Sequence, residues 1–263
     1  MKILLIFICI LICVIVWKKQ IDYENYKNEP YITVVSQAGL NNRIQVILSY
    51  LYKANQEGKK LKVIWINDKQ CPDRFDNLFE PINNVEIIYN FNLLDSTSYD
   101  YKNWNKENND YINANYYSLL KPLEPLQYEI DNKIQLLNNN YIACHIRRTD
   151  ALTHNWYKHH VKNDDEYVNF INNFSSDLKI YIATDCKKTQ QKFIDLYPNR
   201  IIYKKIEDSN NFRQTSLQDA VIDIYVCANA SYFMRSYGSF SDTIIELRKL
   251  NNLETYENVN LTL

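Results

Sequence analysis

The stretch Tyr141–Asp150, YIACHIRRTD, joins an apolar run to a cluster of polar side chains. The apolar run predicts a buried strand, and the polar cluster at its end consists of His145, Arg147, Arg148 and Asp150. In open α/β sheets ligands bind in the crevice beyond the carboxyl ends of the strands, so we expect these residues to line such a crevice. A guanidinium group is always charged and binds phosphate oxygens through two hydrogen bonds. It therefore suits the diphosphate of a nucleotide sugar.

Both adjacent arginines reach one ligand only if the strand ends between them, because successive strand side chains point to opposite faces. We therefore predict that Arg147 binds phosphate, with Arg148 either assisting it or pairing with Asp150. The alternative is a core strand followed by a solvated Arg–Asp turn.

Length and composition indicate a globular protein with one large domain or two small ones. The chain has 263 residues, of which 46% are apolar. A net charge of −1 provides no basic surface for a nucleic-acid backbone, so nucleic acid is not an expected partner. The six cysteines are scattered and show neither a zinc-binding spacing nor a dense disulfide framework.

An apolar leader opens the chain. Ile3–Trp17 carries no charge and is flanked by Lys2 and by Lys18–Lys19, with no small-residue cleavage site before the lysines. This pattern predicts an uncleaved signal anchor, residues 1–19, that spans a membrane once, followed by a polar stem, residues 20–30. The globular part is then expected in a lumen of the ER or Golgi type or its equivalent. A cleaved secretory signal is the alternative.

Hydrophobic periodicity predicts the elements that position the polar cluster. In the first half, Tyr31–Ser36 is a predicted strand, and apolar residues at helical spacing predict a helix from Leu40 that stops at Gly58. Further strands are predicted at Leu61–Ile66 and Val85–Tyr89. This half is therefore expected to form a β-α-β unit.

A second half of the same kind follows. Leu120–Gln127, which contains two prolines, is the predicted connector, and Tyr128–Leu137 is a predicted helix before the central strand. Later strands are predicted at Lys179–Thr184, Arg200–Lys204 and Tyr232–Arg235. We predict an α/β fold of two Rossmann-like domains, residues 31–125 and 126–263, with a ligand cleft between them.

Two further stretches carry candidate binding residues. The chain has only three glycines, so arginines and helix N-termini are expected to hold a diphosphate in place of a glycine-rich loop. The loop after the first strand contributes the candidates Gly39, Asn41, Asn42 and Arg43. Ser239 and Ser241 lie at the predicted N-terminus of the last helix, which suits phosphate. Gly39 has an alternative explanation, a strand-to-helix turn that requires a positive φ.

Four motifs resemble, in order and spacing, those of the fucosyltransferase superfamily, which includes α1,6-fucosyltransferases, the nodulation fucosyltransferase and protein O-fucosyltransferases. They are QAGLNNRI, HIRRTD, IYIATD, and DIYVCANASYF followed by SYGSFSD. The resemblance implies a two-domain GT-B glycosyltransferase that moves fucose, with inversion, from GDP-fucose to a hydroxyl of a glycan or glycoprotein. The Asp-x-Asp sequence typical of metal-dependent transferases is missing, so we expect neither a metal nor another cofactor.

The resemblance also implies roles for single residues. Arg147 matches the arginine that binds the β-phosphate and stabilises the departing GDP, and Arg148 supports it. His145 and Asp223 match residues near the guanine, and one carboxylate that accepts from both guanine N–H groups would select that base. Asp185 and Ser239 match the remaining donor contacts.

The general base stays open. Ala151 follows the motif aspartate where the α1,6 enzymes carry a basic residue, and no carboxylate before Lys162 corresponds to their acidic residue. Asp150, His154 and Asp164 are the candidates, and a mechanism without a base is the alternative. Two other functions also stay open: a transferase for another nucleotide sugar, and a catalytically silent, membrane-anchored protein that binds nucleotides or carbohydrates.

Overall fold

The computed structural model describes residues 14, 30–89, 100–101, 114–153, 155, 157–206 and 215–256. Apart from residues 14 and 30, the predicted signal anchor and stem lie outside these ranges, so both stay predictions. Within the same ranges, no helix has both the length and the apolar character needed to cross a bilayer.

The first half forms a parallel sheet in which, over the described residues, four strands pair in the order β3-β2-β1-β4. These strands are β1 (Tyr31–Ser36), β2 (Lys60–Trp65), β3 (Val85–Ile88) and β4 (Asp100–Tyr101). Helix α1 (Leu40–Gln56) follows β1 after a three-residue loop and buries its predicted apolar face against the sheet. The predictions for β1 and α1 are confirmed, and β2 is displaced by one residue.

The second half forms another parallel sheet, whose described strands pair in the order β7-β6-β5-β8. They are β5 (Tyr141–Ile146), β6 (Lys179–Thr184), β7 (Ile201–Ile202) and β8 (Tyr232–Met234). Strand β5 is buried at every position, as its apolar sequence predicts. The predicted α/β fold with parallel sheets is thus confirmed.

Helices cover the two sheets and join the halves. They are α2 (Ala114–Tyr117), α3 (Glu124–Leu136), α4 (Thr149–Thr153), α5 (Asp164–Asn172), α6 (Lys187–Leu196), α7 (Leu217–Asn229) and α8 (Ser239–Leu250). Helix α3 packs on α7, while α8 packs on both α1 and α2. One apolar core therefore runs from the first sheet to α7 and α8.

The second half of the predicted connector is helical. Helix α3 begins at Glu124 with Pro125 in its first turn, where the missing N–H of proline breaks no intrahelical bond. The predicted boundary between residues 125 and 126 consequently falls in the first turn of α3. The division into domains itself stays a prediction.

Candidate active site

A cleft lies where the carboxyl ends of β1, β5 and β6 meet the N-termini of α1, α7 and α8. The empty space between its walls, including bulk solvent at the mouth, is about 810 Å³. Eight of the predicted site residues line it, namely Gly39, Asn41, Asn42, His145, Arg147, Asp185, Asp223 and Ser239. The wall also contains residues that the sequence did not indicate, among them Thr215, Leu217, Ala220 and Phe240.

Arg147 follows β5 and is held by a carboxylate three residues later. Its Nη2 lies 2.8 Å from Oδ2 of Asp150, and its Nε lies 3.3 Å from Oδ1. On the other side the guanidinium lies against Gly238, where an added Cβ would come within 2.9 Å of Nη1. Gly238 has a φ of 114° and precedes α8 without a side-chain cap. The positive charge of Arg147 therefore lies beside the first-turn N–H groups of α8, an arrangement that favours an anion.

His145 is oriented by two residues of α8. Its Nδ1 lies 2.7 Å from Oγ of Ser241, which also accepts a 3.1 Å hydrogen bond from the backbone N–H of Ser236. The imidazole ring lies against Phe240, with 4.4 Å between the ring centroids. Contrary to the prediction that Ser241 contacts phosphate, this residue is fully buried and does not line the cleft, and its hydroxyl positions His145 instead.

Asp223 brings a carboxylate from α7 to the cleft wall. Its Oδ1 accepts a 2.6 Å hydrogen bond from the hydroxyl of Tyr181, a buried residue of β6. Burial raises the pKa of Asp223 to about 7, against the opposing effect of the Tyr181 hydrogen bond. The protonation state of this carboxyl group is therefore sensitive to its immediate partners near neutral pH.

Arg148 turns away from the cleft. Its Nη2 lies 2.6 Å from Oδ1 of Asp164, and its backbone N–H donates to Oδ1 of Asp185 at 2.7 Å. The alternative that Arg148 pairs with Asp150 is therefore wrong, since Arg147 occupies that carboxylate. The two arginines can point in different directions because β5 ends at Ile146, before both of them.

Asp164 is an unsuitable general base. Its two oxygens accept from Arg148 and, at 2.7 Å, from Lys192. Burial alone would raise the pKa of Asp164, but these hydrogen bonds outweigh it and hold the pKa below its usual value. A carboxylate that is paired with two cations binds a proton poorly.

Arg43 supports the loop before α1 from beneath. Its side chain is 0% exposed. It donates from Nε to the carbonyl of Ala38 at 2.7 Å, from Nη1 to the carbonyl of Ile66, and from Nη2 to Asp68 at 2.9 Å. Contrary to the expectation that it contacts substrate, its guanidinium points into the fold because these acceptors lie there.

The loop itself presents an unsatisfied acceptor. Asn41 is 5% exposed and lines the cleft, and its Oδ1 has no hydrogen-bond partner within the described part of the chain. A buried acceptor of this kind is normally satisfied by a ligand or by water.

The alternative explanation for Gly39, a turn that requires a positive φ, is wrong. Gly39 has a φ of −71°, and the positive φ of 69° belongs to Ala38.

Two predictions on the site are not tested by this geometry. His154 lies outside the described residues. No group of three or more His, Cys, Asp or Glu side chains in the described ranges is arranged to hold a metal ion. Independence from metal stays a prediction.

Comparison with known proteins assigns the sequence to a family. The chain matches the family model for GDP-fucose protein O-fucosyltransferase over residues 50–251. A GDP-fucose protein O-fucosyltransferase 2 from Plasmodium berghei (strain Anka) is 30% identical in an alignment 140 residues long, which covers 48% of this chain and 27% of that protein. The matched region thus spans only about a quarter of the length of that relative.

Solved structures of fucosyltransferases have a similar fold. NodZ α-1,6-fucosyltransferase soaked with GDP-fucose aligns with a TM-score of 0.57 at 14% identity, over 84% of this chain and 93% of that one. POFUT1 in complex with GDP-fucose aligns with a TM-score of 0.57 at 9% identity, over 84% and 95% of the two chains. At these identities the likeness establishes the fold alone. Because the family match covers most of the sequence, the chain belongs to the GDP-fucose protein O-fucosyltransferase family, which is a family of glycosyltransferases.

Proposed function

We propose that the protein transfers fucose from GDP-fucose to a hydroxyl group of a glycan or glycoprotein acceptor, with inversion at the fucose C1 atom. The observation that carries this proposal is the position of the Arg147 guanidinium, which lies in the cleft against Gly238 at the N-terminus of α8. The donor is supported by NodZ and POFUT1, structures of similar fold that were soaked with or bound to GDP-fucose.

In this proposal the donor lies along the cleft. The diphosphate binds between Arg147 and the first turn of α8, which begins at Ser239. The guanine binds at the end of the cleft that holds His145 and Asp223, where a carboxylate accepts from two adjacent N–H groups of the base. Asn41 offers its unsatisfied Oδ1 to a hydroxyl group of the bound sugar nucleotide.

The reaction is a single in-line displacement. The acceptor oxygen forms a bond to C1 of fucose while the bond from C1 to the β-phosphate oxygen breaks, and the electron pair leaves with GDP. Arg147 stabilises the charge that builds on the diphosphate, and Asp150 keeps its guanidinium in place. The acceptor proton passes to Asp150, to His154 or to solvent, since Asp164 is held by two cations.

The wider architecture belongs to the same proposal. Two parallel sheets, each with its carboxyl edge at a shared cleft, support a two-domain GT-B arrangement. The apolar leader supports a signal anchor that places the catalytic part in a lumen of the ER or Golgi type or its equivalent.

The proposal is tested with the purified protein in two steps. Isothermal titration with GDP, GDP-fucose, GDP-mannose and UDP-sugars measures donor preference, with Asp223→Asn as the variant that removes the base-selecting charge. Transfer from GDP-fucose is then screened on glycan and peptide arrays. Preferred binding of GDP-fucose with transfer to an acceptor supports the proposal. Preference for another nucleotide sugar, or binding without transfer to any acceptor, contradicts it.

A further inference from the structure

Tyr181 lies in the core of the protein, directly behind a residue of the cleft wall. It lies in the middle of β6, where its side chain is 0% exposed. A buried tyrosine hydroxyl requires a polar partner, and here that partner is Oδ1 of Asp223, at 2.6 Å. Asp223 lines the cleft, whereas Tyr181 does not. The tyrosine therefore acts on any ligand only through the carboxylate.

The hydrogen bond restrains how the carboxylate faces the cleft. One lone pair of Oδ1 is occupied from the core side, which restrains rotation of the group, while among the described residues no hydrogen bond occupies Oδ2 or the other lone pair of Oδ1. A fixed, ionised carboxylate accepts two parallel N–H groups. Guanine presents two such donors on adjacent atoms, N1 and the 2-amino group, whereas hypoxanthine presents N1–H alone and adenine presents an acceptor beside a donor.

We propose that Tyr181 is a positioning residue that keeps Asp223 oriented and ionised, and thereby sets the selectivity of the cleft for guanine. This inference rests on the proposed function, because it assumes that the cleft binds GDP. It assigns the selectivity to a residue that does not touch the base.

Among the groups around Asp223, the Tyr181 hydroxyl contributes most to keeping the carboxylate ionised. After burial, the largest influence on the pKa of Asp223 is the hydrogen bond from Tyr181, which lowers it. Asp219, on the same helix, raises this pKa, while Lys133 of α3 and Lys204, which follows β7, lower it. Burial and the charge of Asp223 raise the pKa of Tyr181 well above its usual value, so the phenol remains a donor at all relevant pH values. Burial likewise keeps the thiol of the nearby Cys227 neutral.

The test is the pH dependence of nucleotide binding to Tyr181→Phe. Isothermal titration from pH 5.5 to 9 compares GDP with inosine diphosphate, which lacks the 2-amino group. In the natural protein, GDP affinity should fall as the pH drops through about 7, since protonation removes one acceptor. In Tyr181→Phe this fall should move upward by about one pH unit, and the preference for GDP over inosine diphosphate at pH 7 should shrink about tenfold.

Tyr141→Phe is the matched control. Tyr141 is a buried tyrosine of the neighbouring strand β5, and its hydroxyl donates to the carbonyl of Val226 at 2.6 Å. This variant loses a buried tyrosine hydrogen bond without touching Asp223, so its pH profile and selectivity should match those of the natural protein. Incorporation of 3-fluorotyrosine at position 181 gives a stronger donor of nearly the same shape, and it should shift the profile downward.

The outcomes separate the inference from the function on which it rests. If the natural protein binds GDP, Asp223→Asn loses this binding, and Tyr181→Phe keeps the natural pH profile and selectivity, the inference is overturned and the proposed function stands. If Tyr181→Phe does not fold, an unshifted profile of the 3-fluorotyrosine protein overturns it equally. Absence of GDP binding by the natural protein overturns the proposed function and the inference together.

Discussion

Gly238→Ala is a substitution whose effect on the donor site follows from the contact between Gly238 and Arg147. An alanine Cβ would come within 2.9 Å of Nη1 of Arg147, closer than an ordinary van der Waals contact. The guanidinium would have to retreat by roughly 0.5 to 1 Å, away from the N-terminus of α8. The φ of 114° and ψ of 170° at this position also suit glycine alone.

These two effects have separable magnitudes. Backbone strain should lower the free energy of unfolding by about 1 to 3 kcal/mol, or the melting temperature by roughly 3 to 10 °C. A displacement of about 1 Å in a group that stabilises the transition state costs up to about 100-fold in rate. We therefore expect Gly238→Ala to stay folded at 25 °C and to lose transfer activity by about 10- to 100-fold, with weaker GDP binding.

Gly58→Ala is the control for strain. Gly58 has a φ of 64°, but an added Cβ would meet no atom within 4 Å. It should lose about 1 to 2 kcal/mol of stability and keep natural activity. The assay combines thermal melting, GDP titration and transfer from GDP-fucose for both variants. A folded Gly238→Ala protein with natural GDP affinity and transfer, or an equal loss of transfer in Gly58→Ala, would refute the role given to the contact with Arg147.

Three further predictions address the base, the stability of the core and the metal. Asp150→Asn should weaken GDP binding about tenfold along with transfer, because Arg147 loses its charged partner; loss of kcat with natural GDP affinity would instead identify Asp150 as the base. Arg248→Met should lower the free energy of unfolding by about 3 kcal/mol in a denaturant titration, because the carbonyl groups of Cys227, Ala230 and Glu254 lose the guanidinium donor that they share, whereas Arg74→Met, at an exposed ion pair, should leave the unfolding midpoint close to that of the natural protein. Transfer should survive EDTA, and loss on chelation with rescue by manganese would contradict metal independence.

Features with short-range signals were predictable from the sequence. The capping box of Ser216 and Asp219 at the start of α7 has such a signal, because its two hydrogen bonds join residues three positions apart. Strand β6 is confirmed residue for residue, since an apolar run between polar ends marks its limits. The start of α3 was misplaced because proline was interpreted as a helix breaker, although Pro125 lies in the first turn, where it is tolerated.

Features that depend on distant partners were not predictable. Arg43, Arg148 and Arg147 have the same chemistry in the sequence, but Arg43 is buried by acceptors that include Asp68, 25 residues away. Ser241 faces a histidine 96 positions earlier. The sequence does not indicate a role for Tyr181 at the site, because a tyrosine in an apolar strand is expected to be a core residue. The sequence thus indicated which strand ends form the cleft, but not which charged side chains turn into it.

The most direct test of the account is GDP binding, melting temperature and fucose transfer measured together on Arg147→Ala. If Arg147 binds the β-phosphate and stabilises departing GDP, transfer should fall at least 100-fold, on the order of 3 kcal/mol, and GDP affinity should fall while the melting temperature stays close to that of the natural protein. Transfer by Arg147→Lys should stay impaired, because lysine keeps the charge but cannot form bidentate hydrogen bonds to phosphate. An Arg147→Ala protein that melts normally and binds GDP with undiminished affinity would contradict the assignment of the donor site.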